Sequence, residues 1–281
     1  MPGKLFLVAT PIGNLGDMSF RGVETLKQVA RIACEDTRQT RKLLHHFQIS
    51  SPTLSVHEHN ESARTAQLIE QILSGDSIAL VSDAGTPLMS DPGFRLVQAA
   101  IAAGIDVVPI PGPSAIPVAL AASGLPADSF RFGGFLSAKR TQRRRQLEET
   151  LEDESTQVFF EAPHRILETM ADIEEILGAA RPVVIARELT KLHEEFLRGP
   201  AAEVRQQLAA RPAIKGEITL LIGRPTKRTQ SAGEADLTAE VQALIEKGVR
   251  RMDAIKQVAR HHGIGKRDLY QLLEQSDSTE K

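Results

Sequence analysis

Ile78-Ala79-Leu80-Val81-Ser82-Asp83-Ala84-Gly85-Thr86-Pro87-Leu88-Met89-Ser90-Asp91-Pro92-Gly93 is the stretch on which the fold turns. Its first four residues form an apolar run that reads as a buried strand. Near its end, Asp91-Pro92 reads as a helix N-cap followed by a proline at the first helical position. The loop between them is longer than the roughly two to six residues that a strand-to-helix connection needs. In an α/β sheet, ligands bind outside the carboxyl ends of the strands, where such loops gather. The loop therefore reads as functional.

On either side of it, short apolar runs alternate with amphipathic stretches. Leu5–Ala9, Ala30–Cys34, Thr53–Val56 and Asp106–Ile110 read as further strands. Phe20–Val29, Arg38–Phe47, Ser62–Leu73 and Phe94–Ala103 read as helices. This alternation predicts a mostly parallel sheet with helices on both faces. Thr10-Pro11-Ile12-Gly13 and Pro111-Gly112-Pro113-Ser114 end two of the strands and would lie beside the opening loop.

The second half has a different rhythm. Phe130–Phe135, Gln157–Phe160, Val183–Arg187, Glu194–Arg198 and Ile218–Ile222 read as strands, with helices near Gln142–Leu151, Arg165–Leu177 and Glu203–Leu208. Only a turn separates Val183–Arg187 from Glu194–Arg198, which predicts antiparallel pairing. Gly124 and Pro126 interrupt the pattern, placing a boundary there. The expected organisation is an α/β domain over 1–124, a second α/β domain over 125–224, and a linker with a small helical basic tail over 225–281. In the tail, Ala259, Gly263, Leu269 and Leu272 match the spacing of a helix-turn-helix with Gly263-Ile264-Gly265 as its turn, a pattern any compact three-helix unit shares.

With 281 residues, 41% hydrophobic and 25% charged, the chain fits a globular protein with a full core. One tyrosine and no tryptophan argue against an RNA reader built on stacking aromatics. The single cysteine, Cys34, excludes a disulfide framework and fits a reducing compartment; at the end of an apolar run it reads as a buried small residue rather than a nucleophile. No signal-peptide core and no run of membrane-spanning length is present, which places the expected location in the cytoplasm. The net charge of −2 leaves no global nucleic-acid footprint. Locally, Lys139, Arg140, Arg143, Arg144 and Arg145 form a dense basic run, and Lys247, Arg250, Arg251, Lys256, Arg260, Lys266 and Arg267 form a second basic region. Both are candidate contacts for a polyanion.

Several common chemistries are excluded. There is no P-loop, and Gly13-Asn14-Leu15-Gly16 has the wrong spacing for a dinucleotide fingerprint. No G-x-S-x-G nucleophile turn occurs. His45-His46 and His261-His262 are adjacent pairs that diverge on a helix; His57 and His59 share a face only if extended, with no further ligand evident, so no metal is expected. What is left is a set of glycine/proline loops exposing backbone N–H and C=O groups beside small side chains. Such loops suit a ligand with an adenine, a ribose and an amino-acid tail, of which S-adenosyl-L-methionine is one.

Val8 through Asp17, Cys34-Glu35-Asp36-Thr37-Arg38, Ser82 through Gly93 and Pro109 through Ala115 together resemble the tetrapyrrole-methylase superfamily, and within it the bacterial ribosomal-RNA 2′-O-methyltransferases. Phe159 through Arg165 and Ala186 through Lys191 continue the likeness. The resemblance implies a two-domain class III methyltransferase, usually a homodimer, with S-adenosylmethionine between the domains. Its acceptor would be the ribose 2′-OH of a cytidine in the decoding region of 16S rRNA, alone or in the small ribosomal subunit. By position, the cofactor would contact Pro11 and Gly13, then Asp83, Ala84, Gly85 and Pro87. Further contacts would come from Ser114 and Ala115, and from Phe160, Ala186, Ile218 and Thr219 of the second domain. Thr86 stands where the tetrapyrrole enzymes have the Asp of Gly-Asp-Pro, which separates this chain from them.

Displacement at a sulfonium needs an in-line approach, and most of the acceleration comes from positioning. A ribose hydroxyl is a weak nucleophile, so a base or a nearby cation would help. Glu35, Asp36, Asp83, Glu161, His164, Arg165, Arg187, Glu188 and Lys191 are the candidates. Asp83 or Glu161 is expected to accept the proton, with Arg165, Arg187 and Lys191 holding RNA phosphate or steering charge. Two rival readings are a tetrapyrrole C-methyltransferase and a non-catalytic RNA-binding assembly factor.

Overall fold

The computed structural model describes residues 2–57, 60–225, 234–262, 269–270 and 273. Residues 1–225 and 226–281 are separate compact units. The first unit begins with β1 (Leu5–Val8), α1 (Phe20–Gln28), β2 (Arg31–Cys34), α2 (Thr37–His46), β3 (Thr53–Ser55) and α3 (Glu61–Leu73). It continues through β4 (Ile78–Val81), α4 (Phe94–Ala102), β5 (Val107–Ile110) and α5 (Ala115–Ser123). The five strands form one sheet in the order β3-β2-β4-β1-β5, every pair parallel.

All four residues of β4 are buried, because this central strand is covered on both faces. Strand alternation sends Ala79 and Val81 to a core shared with Leu26 of α1 and Leu44 of α2. Ile78 and Leu80 go the other way, to Leu68 and Ile72 of α3 and Leu96 of α4. Cys34 lies in the first of these cores; burial pushes its thiol up from the ordinary range, as befits an inert packing residue.

A second sheet contains β6 (Phe130–Phe135), β7 (Thr156–Glu161), β8 (Pro182–Arg187), β9 (Glu195–Pro200) and β10 (Ile218–Ile222) in the order β6-β7-β10-β8-β9. β8 and β9 pair antiparallel, β10 runs antiparallel to both its neighbours, and β6 is parallel to β7. One face is covered by α6 (Arg140–Glu148), α7 (Ile166–Leu177) and α8 (Ala201–Ala209), through Leu147, Met170 and Val204 among others. The opposite face receives α5: Ile116, Ala119 and Leu120 pack on Val158, Val184 and Leu221. That helix follows the last strand of the first sheet but serves the core of the second, and it ends at Gly124 in the left-handed conformation (φ 79°).

The opening stretch folds as expected up to its end. α4 does not start with an Asp91 cap: its N-cap is Gly93, at φ 122°. The orphan N–H groups of Gly93 and Arg95 donate to Glu61 Oε1, at 3.1 and 3.0 Å, a buried carboxylate at the start of α3. A neighbouring helix thus does the work that the local sequence assigns to Asp91.

The 226–281 unit holds α9 (Glu234–Glu246) and α10 (Arg251–His262) around Leu237, Val241, Ile255, Val258 and Leu269. Gly263-Ile264-Gly265, Leu272, Lys266 and Arg267 lie outside the described residues, as does His59. No helix among the described residues is long and apolar enough to cross a membrane, and no cluster among them could hold a metal ion.

Candidate active site

Three loops meet at the carboxyl ends of the first sheet, and backbone bonds tie them together. Thr10 and Gly85 exchange two backbone hydrogen bonds of 2.9 Å each. The Thr10 hydroxyl donates to Ser82 O at 3.0 Å, and the Ser82 hydroxyl donates to Gly85 O at 2.9 Å. Gly85 sits at φ 84°, with Ile12 Cγ2 only 3.3 Å from where a Cβ would be. Thr86 donates to Pro113 O at 3.3 Å, joining the opening loop to the one after β5. A hydroxyl at this position therefore acts as a loop tie.

The second sheet supplies the facing wall. Thr219 is the register partner of Phe160 on β7 and of Ala186 on β8, so three adjacent strands bring these side chains to one place. Phe160 is held edge-on by Phe132 and Phe135, with ring centroids 5.0 and 5.4 Å away.

Between the walls lies a cavity of about 370 Å³. Asp83, Ala84, Gly85, Ser114 and Ala115 line it from the first sheet, and Phe160, Glu161, Ala186, Ile218 and Thr219 from the second. Pro11, Gly13 and Pro87 do not reach it. Ile12 lines the cavity in place of its neighbours, and Pro87 is buried in the loop. Gly13 makes room for the other wall: a Cβ there would lie 2.4 Å from Lys191 Cγ and 3.0 Å from Leu189 O. The lining also includes Thr86, Met89, Ser90, Asp91, Phe135, Gly216 and Glu217, which the sequence reading did not select. Lys215-Gly216-Glu217, just before an apolar strand, was the available signal for the last two.

The proposed catalytic side chains are differently placed. Glu161 is buried and its carboxylate is fully engaged: Oε1 accepts the Ala162 N–H at 2.7 Å and pairs with Arg165 at 2.6 Å, while Oε2 accepts the Thr169 hydroxyl at 2.6 Å. Arg187 is bound to Glu195 (3.0 Å) and to Lys215 O (3.0 Å). Arg211 and then Arg187 hold the Glu195 carboxyl down at about 2. Lys191 Nζ bridges Glu188 (2.8 Å) and Glu217 (3.1 Å); burial disfavours its charge, but those two carboxylates outweigh burial and raise it. Arg165, Arg187 and Lys191 are thus all neutralised by carboxylates of their own half of the unit, and none of the three lines the cavity. Asp83 is exposed and accepts one backbone N–H, from Asp36, at 3.2 Å.

In the basic run at α6, Arg143 is withdrawn from any RNA face. Arg143 is 1% exposed and pairs with the equally buried Asp172 at 2.8 Å. Arg140 and Arg144 bind the same carboxylate, and Arg144 also grips Glu175 through both its terminal nitrogens. Acidic residues of α7 have claimed these three guanidiniums as helix-packing groups. Lys139, Arg140 and Arg145 remain exposed, with Arg145 paired to Glu149 at 3.5 Å.

The cavity suits S-adenosylmethionine on its own evidence. Its volume is that of a small-ligand site. Ile12, Phe135, Phe160 and Leu189 give an apolar slot, the Ala84-Gly85 turn and Ser114-Ala115 bring backbone close, and carboxylates at Asp83 and Glu217 match a cationic sulfonium and ammonium.

Two α/β lobes enclosing a loop-built cavity define a class III methyltransferase fold, and solved structures share it. A diphthine synthase superposes with a TM-score of 0.63 at 12% identity, covering 79% of this chain and 90% of its own. A cobalt precorrin-4 methyltransferase of cobalamin biosynthesis gives 0.59 at 16% identity, covering 78% and 94%. Residues 4–205 match the family model of Tetrapyrrole (Corrin/Porphyrin) Methylases, and the chain belongs to that family. It is a methyltransferase with S-adenosylmethionine as methyl donor. Among full-length relatives, ribosomal RNA small subunit methyltransferase I of Halalkalibacterium halodurans is 48% identical, over 97% of this chain and 95% of its own. The protein of the same name from Synechocystis sp. is also 48% identical, over 96% and 97%.

Proposed function

We propose that this protein methylates small-subunit ribosomal RNA on the ribose 2′-OH of a cytidine in the decoding region. The carrying observation is near-full-length identity of 48% to relatives named for that RNA, joined to a cavity that fits the methyl donor. Bound S-adenosylmethionine supplies an electrophilic methyl on a sulfonium. Phe160, steadied by Phe132 and Phe135, offers an apolar face for the adenine. Gly85 and Ala84 bring backbone polar groups close, and the apolar lining excludes water from the reacting atoms. The tie between Thr86 and Pro113 fixes the loops before substrate arrives, so that orientation costs little at the moment of reaction.

In this reading α2 carries the RNA phosphates. Asp36, its N-cap, hydrogen-bonds Asp83 at the cavity wall, so the helix begins at the site. Arg41 and Lys42 are exposed along it, while Arg38 pairs with Asp36 at 2.8 Å. A second copy of the chain, as the resemblance implies, completes the assembly; Phe20 and Leu192, 94% and 93% exposed, are apolar side chains it would cover. The test is transfer of labelled methyl from S-adenosylmethionine to isolated small subunits and to naked 16S rRNA, mapped at nucleotide resolution. A methyl on a base, or none on either RNA, would overturn the proposal.

A further inference from the structure

Asp91 is one of four carboxylates at the cavity, with Asp83, Glu161 and Glu217. Three of the four are already engaged. Glu161 is fully occupied by Arg165, Thr169 and the Ala162 N–H; Glu217 bonds Lys191 at 3.1 Å; Asp83 accepts the Asp36 N–H. Among the described residues Asp91 makes no hydrogen bond and no ion pair. It is free because Glu61 caps α4 in its place. The backbone leading to it is bent to present it: Leu88 and Ser90 stand at φ 75° and 70°, a region that costs a side-chain-bearing residue about 1–2 kcal/mol. Strain of this kind persists where the surrounding structure enforces it, commonly at ligand clamps.

We propose that Asp91 is the catalytic base, the group that takes the proton of the acceptor hydroxyl. This rests on the methyl-transfer reading above. As the O2′–H bond breaks, its proton passes to an Asp91 carboxylate oxygen. The ribose oxygen forms its bond to the methyl carbon while the S–CH3 bond breaks, leaving its electron pair on a now neutral thioether sulfur. Asp91 then returns the proton to solvent. The groups facing it are acids: Asp83 from its own loop and Glu35 from the turn after β2, with Glu161 and Glu217 across the cavity. Burial first, then Glu35 and Asp83, push the Asp91 carboxyl up to about 6. Such a base is ionised at neutral pH yet basic enough to help, the balance that favours general-base catalysis.

The experiment uses the full chain, wild type, Asp91→Asn and Asp91→Glu, with small subunits as acceptor. Three quantities are read: the Kd for S-adenosylmethionine by calorimetry, the single-turnover rate from pH 5 to 9, and the melting temperature. The wild-type rate should climb about tenfold per pH unit below about 6 and level off above it. Asp91→Asn should bind the cofactor within about twofold of wild type, lose roughly 10²–10⁴-fold in rate and lose the acid limb, with no fall in melting temperature. Asp91→Glu should regain part of both rate and limb. Asp91→Asn within tenfold of the wild-type rate would overturn the proposal. So would a weakened cofactor Kd with an unchanged saturated rate, which would make Asp91 a holder of the cofactor's cation. If wild type binds the cofactor but methylates no RNA, it is the functional reading beneath that fails, and this proposal goes with it.

Discussion

Replacing Glu61 by alanine should damage a helix to which it does not belong. Glu61 opens α3, is 7% exposed, and accepts the N–H groups of Gly93 and Arg95 at 3.1 and 3.0 Å. Position 93 cannot provide its own cap: its φ is 122°, and a Cβ there would lie 2.5 Å from Leu80 Cδ2. In Glu61→Ala both donors lose their acceptor at a buried helix start. Loss of an N-cap costs about 0.5–2 kcal/mol. Hydrogen bonds to a charged acceptor are worth about 1.5–3 kcal/mol each, net of exchange with water. Two such bonds, partly recovered by solvent, put the cost at about 2–4 kcal/mol. At about 2–4 °C per kcal/mol for a unit of this size, the melting temperature should fall by roughly 4–16 °C. Glu61→Gln retains an acceptor oxygen without charge and should lose less than half as much. Because the same bonds anchor the end of the Ser82–Gly93 loop, cofactor affinity should fall about tenfold in Glu61→Ala. Urea unfolding with calorimetric titration measures both. A change within about 0.5 kcal/mol, or equal damage from Gln and Ala, would refute the capping argument.

Arg143→Met should cost about 2–4 kcal/mol in urea unfolding, since it strands part of the charge on buried Asp172, and adding Asp172→Leu should recover most of the loss; an additive double mutant would show that the pair is not coupled. Asp91 makes stability depend on pH with a definite sign. Its native pKa of about 6 lies above the ordinary aspartate value of about 3.9, so the folded state holds the proton more tightly and stability is lost as pH rises through that window. Discounted for partial exposure, the effect is about 1–1.5 kcal/mol. Asp91→Asn should therefore be more stable than wild type by that amount at pH 8 and no more stable at pH 4; an advantage that does not change with pH would refute it. Arg41→Glu with Lys42→Glu should weaken RNA binding and lower the salt slope by about 2 without moving the cofactor Kd, whereas Arg145→Glu should lower it by no more than about 1. Equal effects from the two would return the RNA face to α6.

The strands were readable because their signal is local. Phe130–Phe135 and Ile218–Ile222 have the expected bounds, and β4 is buried along its whole length, as an unbroken apolar run should be. α5 was missed for the opposite reason. Ala115-Ile116-Pro117-Val118-Ala119-Leu120-Ala121-Ala122-Ser123 has no polar side to reveal a helical period, and Pro111-Gly112-Pro113 just before it reads as loop. Its apolar surface is explained only by the second sheet, on which it packs. Burial of Arg143 was not legible for want of one distant residue. Asp172, 29 positions beyond Arg143, turns a basic run into the seam between two helices.

Asp91 shows where local chemistry misleads about function. Asp before Pro reads as a cap, and a cap would hold its carboxylate on backbone N–H groups, unable to accept a proton. The fold gives that task to Glu61, so two acids divide one role: a buried carboxylate bonded to the helix start, and a half-buried carboxylate left unbonded beside the cavity. The division has a price in stability, because Asp91 shares its surroundings with Glu35 and Asp83, and burial together with those two charges pushes its carboxyl up. A stabilising substitution at position 91 that abolishes methyl transfer would be the expected result if the unbonded acid is kept for chemistry. One that stabilises the protein and leaves transfer intact would mean that the loop tolerates Asp91 and does not use it.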